Sequence, residues 1–288
     1  MRAFHCNWSA PFCARNPAEY AIAPFDLLST ALSALIWRKN GGSIAMFCDS
    51  TAAAYYCARG LDGLWDAGLI PLRLPADIDP HIFWAAGKLF ALRAFGAPCV
   101  MLDTDLIVWE PLDCGDTPLT VIHREDLQPA VYPGPDAFPA AKGFDFSSLD
   151  WSVLPANTAL AYFGDPAFTE YYTGRAIEFM RACKGADNPL TYMVFAEQRL
   201  LAMLAKEQGV PLSTFSNLPT LFGGEQTRFT HIWGFKQYMA RNTELLERFC
   251  RRCAIRLQKE APDWAERLAN VPELAAFFAP YPSPGSGV

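Results

Sequence analysis

Two hydrophobic patterns alternate along the first half of the chain: short unbroken apolar runs that stop at a polar residue, and longer stretches where apolar residues recur every three or four positions. The first pattern suits strands and the second suits helices. Strands are predicted at residues 3–8, 43–48, 70–74 and 99–102, with helical stretches over 25–37 and 51–64 between them. This alternation is that of a parallel-sheet α/β fold. Three further helices are predicted to start at the Asx-Pro pairs Asp79-Pro80, Asp165-Pro166 and Asn188-Pro189. In each, the polar side chain can cap free amides while proline presets the first turn. Residues 127–155 are rich in Pro, Gly and Asp and read as a long loop, the kind of segment that often serves as a lid or binding element. Beyond Lys236 the pattern is helical and basic through Lys259, and the terminal PYPSPGSGV is expected to be a disordered end.

The apolar run before Asp103 has the character of a strand buried on both faces, and it delivers Asp103-Thr104-Asp105 at its carboxyl end. In open α/β sheets that edge is where ligands bind. Two carboxylates flanking one residue can give hard oxygen ligands to Mg²⁺ or Mn²⁺, which neutralises a diphosphate and stabilises it as a leaving group. Such triplets also occur in turns, where the carboxylates merely cap amides. On the helix expected after Asp79, Ile82, Phe83, Ala86, Leu89 and Phe90 share one face, while Trp84 and Lys88 stack on another at a four-residue spacing. Lys88 can then point at an anionic ligand; a solvated helix lysine is the ordinary alternative. From Asn188 onward, Leu190, Met193, Val194, Leu200, Leu201 and Leu204 form an apolar stripe with Glu197 in its middle. A carboxylate placed there needs a polar partner, either a donor-sugar pocket in which it acts catalytically or a structural cation such as arginine. Gln198 lies beside the stripe as a second sugar contact. Asp49 can touch a base or ribose or cap a helix. Trp8, Trp84, Trp109 and Trp233 can stack on a ligand or fill the core.

The segment FWAAGKLFALRAFGAPCVMLDTDLIVWEPL resembles the nucleotide-sugar glycosyltransferases that have one Rossmann-like (GT-A) domain and an Asp-x-Asp motif, especially the retaining glycogenin-like and bacterial galactosyltransferase-like family. Residues 155–160, PANTAL, are similar to that family's asparagine-bearing strand, and residues 231–236, HIWGFK, to its late His-x-x-Gly-x-x-Lys motif. The lysine arrives one residue early here and the usual Pro-Trp is absent. The resemblance implies a single GT-A-type α/β domain over 1–236, with a mostly parallel central sheet flanked by helices, and a helical C-terminal extension over 237–288. It implies Asp103, Asp105 and His231 as ligands of Mn²⁺ or Mg²⁺. By the resemblance the donor, a nucleotide-diphosphate sugar, would be bound by Lys88, Asn157, Gly234 and Lys236; the residues' own positions add Trp84 and Thr104 as donor contacts and Glu197 and Gln198 as candidates for the catalytic centre. The implied activity is transfer of the sugar to a glycan, lipid or protein acceptor.

Composition narrows the setting. The formal net charge of −6 offers no general basic field, so nucleic acid is not an expected partner and an anionic ligand must be met locally. The basic stripe Arg241, Arg248, Arg251, Arg252, Arg256 and Lys259 reads as a solvated helix face, with peripheral contact to anionic lipid as its second reading. The first residues lack the charged start and apolar stretch of an export signal, and nine cysteines are an odd number for a disulfide framework, so a reducing cytoplasm is expected. The pair Cys250 and Cys253 has no second pair with which to hold zinc. Two rival readings accompany the transferase: a magnesium-dependent phosphatase of the haloacid-dehalogenase type with Asp103 as nucleophile, and a nucleotide-sugar-binding protein without turnover.

Overall fold

The computed structural model describes every residue except Glu225, Trp233, Ala240 and 280–288, so the stacking expected of Trp233 and the disordered end lie outside the described residues. The strands are β1 (Arg2–Asn7), β2 (Ser43–Cys48), β3 (Leu69–Pro71), β4 (Cys99–Leu102), β5 (Leu106–Val108), β6 (Leu119–Arg124), β7 (Ala156–Phe163), β8 (Leu212–Thr214) and β9 (Phe229–His231). The helices are α1 (Ala10–Arg15), α2 (Pro24–Lys39), α3 (Ser50–Ala58), α4 (Ala86–Phe95), α5 (Pro166–Ala182), α6 (Pro189–Val194), α7 (Leu200–Glu207), α8 (Leu218–Phe222), α9 (Phe235–Met239), α10 (Thr243–Glu260), α11 (Pro262–Ala269) and α12 (Ala275–Phe278). Seven strands form one sheet in the order β3-β2-β1-β4-β7-β6-β8, while β5 and β9 pair apart from it. β7 is antiparallel to both its neighbours, β4 and β6, and every other pairing in the large sheet is parallel. The expected mostly parallel α/β architecture is therefore present.

The unbroken apolar character of β4 has a simple cause: both faces of the sheet are covered. Cys99 and Met101 enter one core, with α4, α5 and the α6–α7 helices, while Val100 and Leu102 enter the other, with α2 and α10. Alternating side chains of a strand reach opposite faces, so a doubly covered strand has no position for a polar residue. The C-terminal helices belong to this second core, into which α10 carries Cys250, Cys253 and Leu257. All nine cysteines are free. Among the described residues, no helix is long and apolar enough to cross a membrane.

Several expected elements are corrected. Asp79 starts a single turn rather than the helix: its carboxylate accepts from His81 N at 2.8 Å, and α4 begins only at Ala86. Trp84 thus precedes the helix that carries Lys88. The helix predicted to reach residue 64 ends at Ala58 and is followed by a short 3-10 turn, and β3 is shorter than expected. Asp165 caps α5, accepting from the amides of Ala167 and Phe168, whereas Asn188 makes no side-chain cap on α6. Leu190, expected in the buried stripe, is 42% exposed.

Candidate functional site

The Asp103-Thr104-Asp105 triplet forms the turn by which the chain leaves the sheet. Asp103 N makes the last ladder bond of β4, 2.8 Å to Ala159 O, and Leu106 N returns 3.1 Å to Asp103 O. The chain then runs out as β5, which pairs antiparallel with β9 so that Leu106 faces His231. This pairing brings a residue from late in the chain to the triplet: His231 Nε2 lies 3.8 Å from Asp105 Oδ1. One ligand atom each from Asp103, Asp105 and His231 lie within 4.8 Å of one another. A chain of hydrogen bonds anchors the turn from below. Ser33 Oγ donates to Leu106 O at 2.6 Å, so it accepts from His5 Nε2 at 3.0 Å, leaving His5 Nδ1 to accept from the Trp65 indole at 3.1 Å.

Two lysines reach the carboxylates from opposite sides. Lys88, in the first turn of α4, places Nζ 2.7 Å from Asp103 Oδ1 and also in contact with Glu197. Gly87 permits this approach: a Cβ there would lie 2.9 Å from Cys6 Sγ and 3.0 Å from Trp8 Cβ, so a side chain would push α4 away from the end of β1. Lys236, on α9, places Nζ 3.0 Å from Asp105 Oδ2 and 2.9 Å from Asp26 Oδ1. Each motif carboxylate thus shares a lysine with an outer carboxylate, Glu197 in one case and Asp26 in the other. Lys88 is not the solvated helix lysine of the ordinary alternative.

The electrostatics follow from burial and these pairings. Burial works against the charge on both lysines, but the adjacent carboxylates outweigh it and hold each ammonium above its ordinary pKa. Burial also raises Asp103, with Asp105 and Glu197 adding repulsion that Lys88 only partly offsets. Asp105 is held below the usual range because Lys236 and His231 together exceed the effect of burial. Burial lowers His231 to about 4, so its imidazole is neutral near pH 7 and can act as a ligand.

A cavity of about 240 Å³ opens onto this cluster, lined by Lys88, Asp103, Asp105, Asn157, Thr158, Ala159, Gln198, His231 and Lys236. Gln198 and Glu197 take different places around it. The helix from α6 to α7 widens over Phe195–Arg199 into a π turn, a local irregularity often found at functional sites. Gln198 lines the cavity, its Oε1 accepting from Tyr132 of the long loop at 2.6 Å, which leaves its amide N–H groups to donate. Glu197, expected to face the cavity, lies behind its lining, 4% exposed, and accepts from Thr158 Oγ1 at 2.7 Å and from Lys88. Arg199 ties the same turn to the loop carbonyls of Tyr132 and Trp151. Asn157 is braced by Glu125, 2.7 Å from its Nδ2, and by the Ala159 amide.

On the other side of Lys236 lies a second cavity, of about 500 Å³, whose wall includes Asn7, Trp8, Tyr20, Asp26, Trp84, Thr104 and Lys236. It accounts for Thr104 and Trp84, which the first cavity lacks. Asp49 is a cap, accepting from Ala52 N and from Ser9. Gly234 is exposed and lines neither cavity. A wider cleft of about 960 Å³ on the far side of β9 holds Trp109, Ile255 and the basic residues Arg252, Arg256 and Lys259. Along α10 the basic stripe is largely compensated, by Arg248–Glu244, Arg251–Glu247 and Arg256–Glu260 pairs. Sequence reasoning missed Asp26, Thr158 and Tyr132. Asp26 carried only the weak signal of an acid in an otherwise apolar helical stretch.

The donor set suits a hard divalent cation. It comprises two carboxylates and a neutral imidazole, and among the described residues the four acids Asp26, Asp103, Asp105 and Glu197 share two ammonium groups, a formal excess of two negative charges in a partly buried cluster when all four are ionised. Burying unpaired charge is costly, and a divalent cation held by Asp103, Asp105 and His231 would balance it.

No protein-family model matches the sequence, and no curated protein is similar to it. Among solved structures, the chain is similar to galactosyltransferase LgtC in complex with donor and acceptor sugar analogs, at 12% identity and a TM-score of 0.42 over 82% of each chain. It is similar to the PaToxG glycosyltransferase at 11% identity and 0.41, over 72% of this chain and 69% of that one. It is similar to glycosyltransferase GlyE of Streptococcus pneumoniae TIGR4 at 15% identity and 0.38, over 75% of this chain but only 45% of that one. All three are described as glycosyltransferases.

Proposed function

We propose that this chain is a metal-dependent glycosyltransferase that takes a sugar from a nucleotide-diphosphate donor. One observation carries the reading: a partly buried cluster at the carboxyl end of β4 in which four acids share two ammonium groups and which opens onto a small cavity lined with amides and a hydroxyl. Mn²⁺ or Mg²⁺ bound by Asp103, Asp105 and His231 would supply charge neutralisation for the departing diphosphate. The nucleoside fits the aromatic-walled cavity beside Thr104, where Trp8, Tyr20 and Trp84 offer stacking faces. The sugar fits the smaller cavity, with Gln198 and Asn157 as hydrogen-bonding partners. Lys236 stands in the wall of both cavities, where the diphosphate joining sugar and nucleoside would pass. In the reaction the anomeric carbon parts from the diphosphate oxygen and joins an acceptor hydroxyl oxygen, whose proton passes to the departing nucleoside diphosphate. Glu197 holds Lys88 charged and in place, and Lys88 in turn orients Asp103. Nine free cysteines favour a reducing compartment such as the cytoplasm.

The phosphatase reading fits this site less well. A nucleophilic Asp103 would need a later acidic pair for Mg²⁺, whereas among the described residues the cluster's further acids are one later residue, Glu197, engaged by Lys88, and the earlier Asp26, engaged by Lys236. Incubating the pure protein with a panel of nucleotide sugars and Mn²⁺ tests the proposal. Release of nucleoside diphosphate from at least one donor, abolished by chelation, is the expected result. Failure to release or bind any nucleoside diphosphate in the presence of Mn²⁺ would overturn it.

A further inference from the structure

In the reading above Asp26 adds charge to the cluster but touches neither cation nor donor, and its position is costly. It lies in the first turn of α2, with a side chain 29% exposed, and burial pushes its carboxyl above the usual range. Among the described residues, Lys236 is the one cation paired with it. That lysine is shared, 2.9 Å from Asp26 Oδ1 and 3.0 Å from Asp105 Oδ2, and it walls both cavities. Asp105 is the more buried of the two acids, its side chain 8% exposed.

A cation on Asp105, whose Oδ1 faces His231 while Oδ2 faces Lys236, would compete with the Lys236 ammonium for the charge of that one carboxylate and loosen the lysine's hold on it. A lysine on a flexible four-carbon stem, once released, would ordinarily swing into water. The second carboxylate gives it somewhere nearer to stay. We propose that Asp26 is a positioning residue that retains Lys236 at the partition between the two cavities when Asp105 takes a divalent cation, keeping its ammonium ready for the donor's diphosphate. The inference rests on the metal-dependent reading above and assigns to α2 a part in loading the site. Lys236 then has two effects of opposite sign. With the site empty it competes with the cation for Asp105, and with the site loaded it attracts the diphosphate. Asp26 shifts the balance from the first effect towards the second.

A double-mutant cycle read by calorimetry tests this, with Mn²⁺ alone as the first probe and inorganic pyrophosphate at saturating Mn²⁺ as the second. Lys236→Met is expected to bind Mn²⁺ alone more tightly, by about threefold or more, and pyrophosphate more weakly by a similar factor. Asp26→Asn is expected to weaken Mn²⁺ binding by about threefold or more in the native background, where Lys236 then settles on Asp105, but by less than about twofold in the Lys236→Met background. Asp26→Ser is taken through the same cycle, so that a folding failure of one variant leaves the other to decide. An equal loss in both backgrounds would show that Asp26 acts only as a general negative charge and would overturn the proposal, as would weaker Mn²⁺ binding by Lys236→Met. Those outcomes leave the metal-dependent reading standing. A native protein that binds neither Mn²⁺ nor pyrophosphate overturns that reading and this inference with it.

Discussion

Lys88 Nζ stands 2.7 Å from Asp103 Oδ1 while also touching the Glu197 carboxylate, so one ammonium joins the end of β4 to the π turn between α6 and α7. Removing it leaves the buried Glu197 and the half-buried Asp103 without the cation between them. Lys88→Met is expected to destabilise the fold by about 3 kcal/mol in urea denaturation at neutral pH, the scale for breaking one side of a buried pair. It should also weaken donor binding. A loss under about 0.5 kcal/mol, as for a surface lysine, would contradict this placement.

Asp105 has the stronger claim to the cation, since it lies between His231 and Lys236 and is the more buried of the two motif acids. Asp105→Ala is expected to lose at least about tenfold in Mn²⁺-dependent nucleoside diphosphate affinity, some 1.4 kcal/mol. Calorimetry with uridine and guanosine diphosphates measures it. Mn²⁺ should raise the melting temperature of the native protein and not that of the variant, because a ligand of the folded state alone stabilises it.

Glu197 accepts from Lys88 and from Thr158 but does not line the sugar cavity. Glu197→Gln keeps the shape and removes the charge. If the acid keeps Lys88 oriented for the reaction, the variant should turn over more slowly per folded molecule, by about tenfold or more. A lowered melting temperature with unchanged turnover per folded molecule would assign Glu197 a structural role alone.

His5 is fully buried between Ser33 and Trp65, and burial lowers its pKa to about 3 from an ordinary 6.5. The folded protein therefore keeps the ring neutral while the unfolded chain protonates it near pH 6.5. This contribution to stability is complete above that pH and is lost as pH falls towards 3. Between pH 7 and pH 5 it amounts to a loss of about 2 kcal/mol. Denaturant titrations at the two pH values should show a steeper fall for the native protein than for His5→Gln, and equal slopes would rule this out.

What could be read from the sequence was whatever depended on local pattern. β2 and β4 appear at their predicted ends because each is an apolar run stopped by an aspartate, and Asp103 and Asp105 follow from β4. The burial of Glu197 was legible as an acid in a leucine-rich stripe. The π turn was not, since no residue preference announces a change from i→i+4 to i→i+5 bonding, and this change sends Gln198 to the cavity while Glu197 goes beneath it. Trp84 does not share a helix with Lys88, because the Asp79 turn resembles a helix start for one turn and then stops. Asp26 passed unnoticed because an acid in a helix's first turn is ordinary, complementing the helix dipole. Its partner Lys236 comes from the far end of the chain, and sequence pattern carries no signal of that meeting.

The ladder between β5 and β9 has only three registered pairs, yet the proposed ligands stand on both sides of it, the two aspartates just before β5 and His231 at the end of β9. A cation gripping both sides would act as a clasp, adding its binding free energy to the docking of β9 against β5. At a hundredfold excess over its dissociation constant, that is about 2.7 kcal/mol. Amide hydrogens of β9 and α9 should then exchange with solvent more slowly when Mn²⁺ is present, while those of β1 and β2 keep their native rates. Loading the site would thereby be felt as local order in the chain's late segment.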